Sequence, residues 1–277
     1  MSHYPLEISP EVELTCDVPF GAVAGRPLLL DLALPKKRDA TRLLPAFIYM
    51  HGGAWETGSK KDGVPAICYY AAHGFAAASV GYRLSSEAQF PAAVEDCKCA
   101  VRFLRAHAEK YDIDPRRIGA MGASSGGHLA AMLALTPGEM FAGEGGWVDF
   151  SSGVCAVCDL FGVSDFLQMP AKHFPGALSA TARFLGGDVV QARDRYREAS
   201  PVNYVHAGAP PFLLIHGAAD ELVPPRQSEL LRDALEKAGV EAALHIVKGA
   251  PHGSRNVITS AVREIILAFL IEKIARH

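Results

Sequence analysis

Hydrophobic positions along this chain follow two rhythms. Short continuous apolar runs alternate with longer stretches whose apolar residues recur every three or four positions. That alternation predicts βαβ units around a mostly parallel sheet, an α/β architecture. Residues 28–34 alternate and read as an early edge strand that could run antiparallel. Residues 46–50 and, apart from Ser79, residues 75–80 form continuous apolar runs, as expected of strands buried on both faces. The clearest helix spans 91–111. Pro91 suits its first turn, Glu95 and Asp96 favour the positive end of the dipole, and Val94, Cys97, Val101 and Leu104 form one apolar stripe. Further strands are expected leading into Ser124 and at 154–160, 212–216 and 242–247. Helices are expected at 226–238, stopped by Gly239, and at 256–275. In the last of these, Val262, Ile265, Ile266, Phe269 and Leu270 read as core.

The stretch from about 161 to 204 breaks the rhythm. It carries Phe161, Phe166, Phe174 and Phe184 among glycines and short helical pieces. Lying between two core strands, it reads as an insertion that covers part of one end of the sheet. Residues 1–277 read as a single domain that carries this insertion, and no internal repeat is evident.

Composition narrows the function classes. A chain of 277 residues with 49% apolar residues can bury a sizeable core. The net charge is −3, and Lys36-Lys-Arg38 and Lys60-Lys61 read as solvated loop charges, so no nucleic-acid partner is expected. The N-terminus lacks a basic region followed by an apolar run, and the apolar stretch at 265–271 is too short to span a membrane. A cytoplasmic protein without membrane association is the expectation. Cys97 and Cys99 fall on different faces of a predicted helix, and Cys155 and Cys158 on opposite faces of a predicted strand. Neither pair is placed to share a metal, and all six cysteines read as reduced thiols.

The candidate chemistry lies in Gly122-Ala-Ser-Ser-Gly126. An apolar strand (Ile118, Ala120, Met121) leads in, and a helical apolar face (Leu129, Ala130, Met132, Leu133) leads out. A serine on such a turn sits at strained backbone angles, with small neighbours letting strand and helix close on each other. The helix aims its N–H groups at the same spot. Ser124 is the candidate nucleophile. Ser125 would need glycine at position 123, which is Ala123. A serine needs a base, and the base an orienting carboxylate. Two later loops at strand ends supply them: Asp220 within residues 216–224, with Glu221 as its neighbouring alternative, and His252 within 249–253. The order Ser, Asp, His suits a nucleophilic relay. The loop His51-Gly-Gly-Ala-Trp55 follows another apolar strand, and the backbone N–H groups of Gly53 and Ala54, with that of Ser125, are candidate oxyanion donors. His51 reads as a structural residue of that loop, and Trp55 as a wall of the substrate pocket.

Together with Gly81-Tyr-Arg-Leu84, residues 90–96 (Phe-Pro-Ala-Ala-Val-Glu-Asp) and Asp114-Pro-Arg-Arg-Ile118, these motifs resemble α/β-hydrolase carboxylesterases. The resemblance runs from about Asp17 to the end. It is nearest to the branch related to hormone-sensitive lipase that includes bacterial acetyl-xylan and feruloyl esterase-like proteins. It implies an α/β-hydrolase fold, with Ser124 as nucleophile, Asp220 as acid, His252 as base and the 53–54 turn as oxyanion loop. It also implies a small-molecule ester substrate and neither cofactor nor metal. The family's third loop glycine is replaced by Ala54, which crowds the acyl side. Short-chain esters, including acetylated sugars, are the expected substrates. The alternatives are an arylformamidase-like amidase, a serine peptidase and a non-catalytic small-molecule receptor.

Overall fold

The computed structural model describes residues 8–39, 41–169 and 175–276. Their strands are β1 (Val12–Val23), β2 (Arg26–Pro35), β3 (Leu44–Met50), β4 (Ala76–Val80), β5 (Ile113–Ala123), β6 (Val157–Leu160), β7 (Phe212–Gly217) and β8 (Ala242–Val247). They form one sheet in the order β1-β2-β4-β3-β5-β6-β7-β8. From β4 to β8 every neighbouring pair is parallel. β2 is antiparallel to both β1 and β4, so it is an inner strand and the edge position belongs to β1. β1 escapes a hydrophobicity reading because half of it faces solvent and its residues include Glu13, Thr15 and Asp17.

Successive side chains of a strand face opposite sides, and here each side meets its own helices. Ala46, Ile48 and Met50 of β3 join a core with α2 (Ala92–Ala106), α3 (Ser125–Leu135) and α6 (Arg226–Lys237). Phe47 and Tyr49 join the other core, with α1 (Val64–Ala71) and α8 (Ser260–Leu270). The insertion between β6 and β7 holds α4 (Pro175–Leu185), α5 (Arg193–Glu198) and two 3-10 turns. Phe174 lies outside the described residues.

Three expectations change. The helix expected over 91–111 stops at Ala106, because the chain reverses through Asp112 at φ 56° to enter β5. The closing helix is broken into α7 (Ser254–Val257) and α8, where the Thr259 side chain caps the Val262 N–H, and it ends in a π turn at Ile271–Ala275. Lys60 is not a solvated charge. It is 8% exposed, paired to Asp31 and, at 2.8 Å, to Asp17.

The junction of β5 and α3 is packed backbone against backbone. A Cβ at Gly122 would overlap the Gly126 carbonyl, and one at Gly126 would overlap the Met50 carbonyl at the end of β3. Backbone cannot yield as a flexible side chain can. Gly126→Ala is therefore expected to cost about 1–3 kcal/mol, the usual range for overpacking. Urea unfolding of the variant checks this; an unchanged midpoint would contradict so close an approach.

Candidate active site

Ser124 occupies the turn itself, at φ 56° and ψ −119°, a strained setting for a residue with a side chain. Its N–H donates to Leu160 O at 2.8 Å, tying the turn to β6. The loops after β7 and β8 are laced together by Ala219 N–H to Ala250 O (3.0 Å) and Ala218 N–H to Val247 O (2.9 Å). They bring Asp220 and His252 to the same rim. Ser124 Oγ lies 2.9 Å from His252 Nε2, and His252 Nδ1 lies 2.6 Å from Asp220 Oδ2. Burial alone would raise the Asp220 carboxyl. Hydrogen bonds from His216 and His252, with the charge of His252 and the Val223 N–H, outweigh it and bring it down to about 2. An ionised carboxylate only accepts, so Nδ1 of His252 is the donor, and Nε2 is free to accept from the serine hydroxyl.

The 51–55 loop faces this relay. Gly53 adopts φ 129°, Ala54 φ 54° and Trp55 φ 60°. Glu56 and Thr57 N–H both donate to Gly53 O at 3.0 Å, which closes the turn. Among the described residues, none accepts a hydrogen bond from the N–H of Gly53, Ala54 or Ser125. The His51 ring stacks on Tyr82 at 4.3 Å, and Tyr82 Oη–H donates to His51 O at 2.9 Å, so this histidine anchors the loop. Ser124, His252 and Ala54 open onto a cleft of about 790 Å³, also bordered by Tyr49, Phe161 and Leu222.

Residues 30–235 match the BD-FAE family model. The chain belongs to the BD-FAE family. It is 32% identical over 234 residues to "Probable carboxylic ester hydrolase LipM" of Mycobacterium tuberculosis, and 32% identical over 231 residues to "Esterase LipQ" of the same organism. These alignments cover 83% and 81% of the chain but 53% of each relative, so the chain spans about half the length of the curated relatives it matches. Among solved structures it superposes on a truncated carbohydrate esterase from gut microbiota with TM-score 0.82 and 29% identity, covering 99% of this chain and 100% of the other. It superposes on Thermogutta terrifontis Est2 with propionate bound at TM-score 0.75 and 27% identity, covering 95% and 93%. The α/β-hydrolase fold read from the motifs holds. No helix among the described residues is long and apolar enough to cross a membrane.

In this BD-FAE chain the role expected of Trp55 needs correction. Its ring does not border the cleft. It is 4% exposed, lies flat on Phe184 of α4 at 4.5 Å, and donates from Nε1 to His128 Nδ1 at 3.1 Å. His128 in turn donates from Nε2 to Ala199 O at 2.8 Å, and burial drives its pKa down to about 4, so it stays neutral. Trp55 thus joins the 51–55 loop, α3 and the insertion from within. The sequence could not reveal this, because its partners lie more than seventy positions away.

Three further residues take no role in the sequence reading. His216, fully buried in β7, bonds Val223 O at 2.8 Å and lies 3.3 Å from the Asp220 oxygen that His252 uses, while its Nδ1 accepts from Ser228 Oγ–H at 2.7 Å. Phe161 meets the His252 ring edge-on at 5.0 Å. Asp159, at the end of β6, is also fully buried; its Oδ1 accepts the Gly162 N–H at 2.9 Å.

Trp55→Ala is expected to cost about 3–5 kcal/mol of stability, as for a large aromatic in a packed core. Urea unfolding reads this. A change confined to KM would return Trp55 to the pocket wall. Burial raises the Asp159 carboxyl to about 6, against the pull of His216 and the Gly162 N–H. The folded state then holds this proton to higher pH than the unfolded chain, whose aspartates titrate near about 3.9, so stability falls as pH rises through that window and levels off above it. Asp159→Asn keeps an acceptor for Gly162 and removes the titration. Its stability relative to the parent should rise by about 2 kcal/mol between about pH 4 and pH 7. A difference independent of pH would contradict the assignment.

Proposed function

We propose that this chain is a serine carboxylic ester hydrolase that works through an acyl-enzyme. The observation carrying the reading is the continuous hydrogen-bonded relay from Ser124 through His252 to Asp220, on a strained turn beside three unengaged backbone N–H groups. His252 Nε2 takes the hydroxyl proton as Ser124 Oγ attacks the ester carbonyl. Asp220, held ionised, stabilises the imidazolium. The N–H groups of Gly53, Ala54 and Ser125 receive the oxyanion; losing one such donor typically costs about 3–4 kcal/mol of barrier. His252 then protonates the leaving alcohol, and water repeats the sequence to release the acid. Asp220 remains charged throughout.

Short acyl groups are the proposed range, with acetylated sugars as the substrate class. The Ala54 methyl narrows the acyl side, while the cleft leaves room for a larger alcohol. The superposition on a carbohydrate esterase and on an esterase holding propionate or butyrate supports this range. The 161–204 segment is read as a small cap on a single domain, and the setting as cytoplasmic.

Ser124→Ala should lower kcat/KM for p-nitrophenyl acetate by roughly 10⁴-fold or more and abolish labelling by a fluorophosphonate, with thermal unfolding unchanged. Retained turnover in that variant would overturn the assignment. Faster hydrolysis of N-formylkynurenine than of p-nitrophenyl acetate by the parent would turn it toward an amidase.

A further inference from the structure

Parallel strands have two rims, and the relay uses only the carboxyl one. At the amino rim lies a recess of about 730 Å³, bordered by the starts of β3, β4 and β5, the end of the antiparallel β2, and the π turn at the C-terminal end. Six cations line it: Lys37, Arg38, Arg42, Arg116, Arg117 and Arg276. Among the described residues, only Asp39 and Asp114 line it with opposite charge. Arg38 is neutralised from outside by Glu13 and Asp112, both at 2.9 Å. Arg117 is fixed by Asp114 at 3.0 Å and by two backbone carbonyls. Arg116 shares that same Asp114 at 3.2 Å, its side chain 86% exposed. Among the described residues, Lys37, Arg42 and Arg276 form no ion pair. A positive excess has therefore gathered in one concave place on a chain whose net charge is −3. The run at 36–38 is only partly the solvated loop charge its sequence suggests, since Arg38 is built into the wall.

Guanidinium groups gathered at a recess suit a phosphate better than a lone carboxylate, because each planar fork can grip two oxygens of a dianion. A concave site of this size suits a small molecule; a nucleic acid or a lipid surface would need a broad outward-facing stripe. Leu43, 48% exposed, and the adjoining Pro35 and Pro45 offer an apolar shelf beside the cations. We propose that this amino-rim recess binds a phosphate group, free or carried on a small organic molecule, with Lys37, Arg42 and Arg116 as the anion-holding side chains. The site is separate from the relay and does not depend on the reaction assigned to it.

The test is calorimetric titration of the full chain with inorganic phosphate, pyrophosphate and phenyl phosphate at constant ionic strength, beside the Lys37→Gln/Arg42→Gln/Arg116→Gln variant. These three side chains reach toward solvent, and thermal unfolding verifies the variant's fold. Saturable one-to-one binding to the parent, weakened tenfold or more in the variant while p-nitrophenyl acetate turnover is kept, supports the site. Tighter binding of phenyl phosphate than of inorganic phosphate identifies an organic ester that uses the apolar shelf, and equal affinities identify the free ion. Absence of saturable binding at millimolar concentration, or equal affinity in parent and variant, overturns the proposal.

Discussion

The close approach of three backbones sets the geometry of this molecule's working end. The first turn of α3 presses on the last carbonyl of β3 and on the end of β5, and no side chain fits between them. The contact holds Ser124 in its strained conformation. It also places the 51–55 loop, which continues from β3, next to the N-terminus of α3. The candidate nucleophile and the candidate N–H donors are thus positioned largely by main chain, with the His51–Tyr82 and Trp55 contacts steadying the loop, and such a frame does not reorganise when charge develops. The side-chain relay then has to supply only a base and its counter-charge. Both come from neighbouring parallel strands that end at the same rim.

Much of this was readable from residue order. Strands such as β3, β4 and β7 are buried on both faces, so their sequences are predominantly apolar, with Ser79 and His216 as polar exceptions. A serine, an aspartate and a histidine each follow such a run in the required order, and a parallel sheet delivers the ends of its strands to one edge. What stayed hidden had specific causes. β1 is an edge strand with a mixed surface. α1 is apolar on nearly every side and short, so it shows no polar face to betray a helix. His216 lies inside a strand and looks like one more buried position. Trp55 sits beside the oxyanion candidates in sequence, yet its ring turns away to meet Phe184 and His128, a contact that exists only after folding.

The buried cations of α2 follow one rule. Lys98 and Arg102 on α2 are almost wholly enclosed, and they point their donors at carbonyl groups of the loop that follows α3: Thr136 and Met140 for the lysine, Gly146 for the arginine. Burial pulls the Lys98 pKa down to about 8. These cations hold an irregular segment that has no ladder of its own to satisfy its carbonyls. Arg105 does the same for Gly153 at 2.8 Å. The charged face of α2 is therefore a docking strip for main chain, which is why a helix with one clear apolar stripe is buried on nearly all sides.

The stack of Trp55 on Phe184 carries a consequence for how such molecules can diversify. Ala54 and Trp55 are consecutive, so the indole that clamps the insertion is one peptide bond from an oxyanion candidate. The insertion cannot be exchanged as an independent module. A transplanted segment lacking an aromatic at the Phe184 position would leave the indole without its partner plane, and the disturbance would reach the backbone of the candidate oxyanion loop before any substrate did. Position 55 and the insertion must change together.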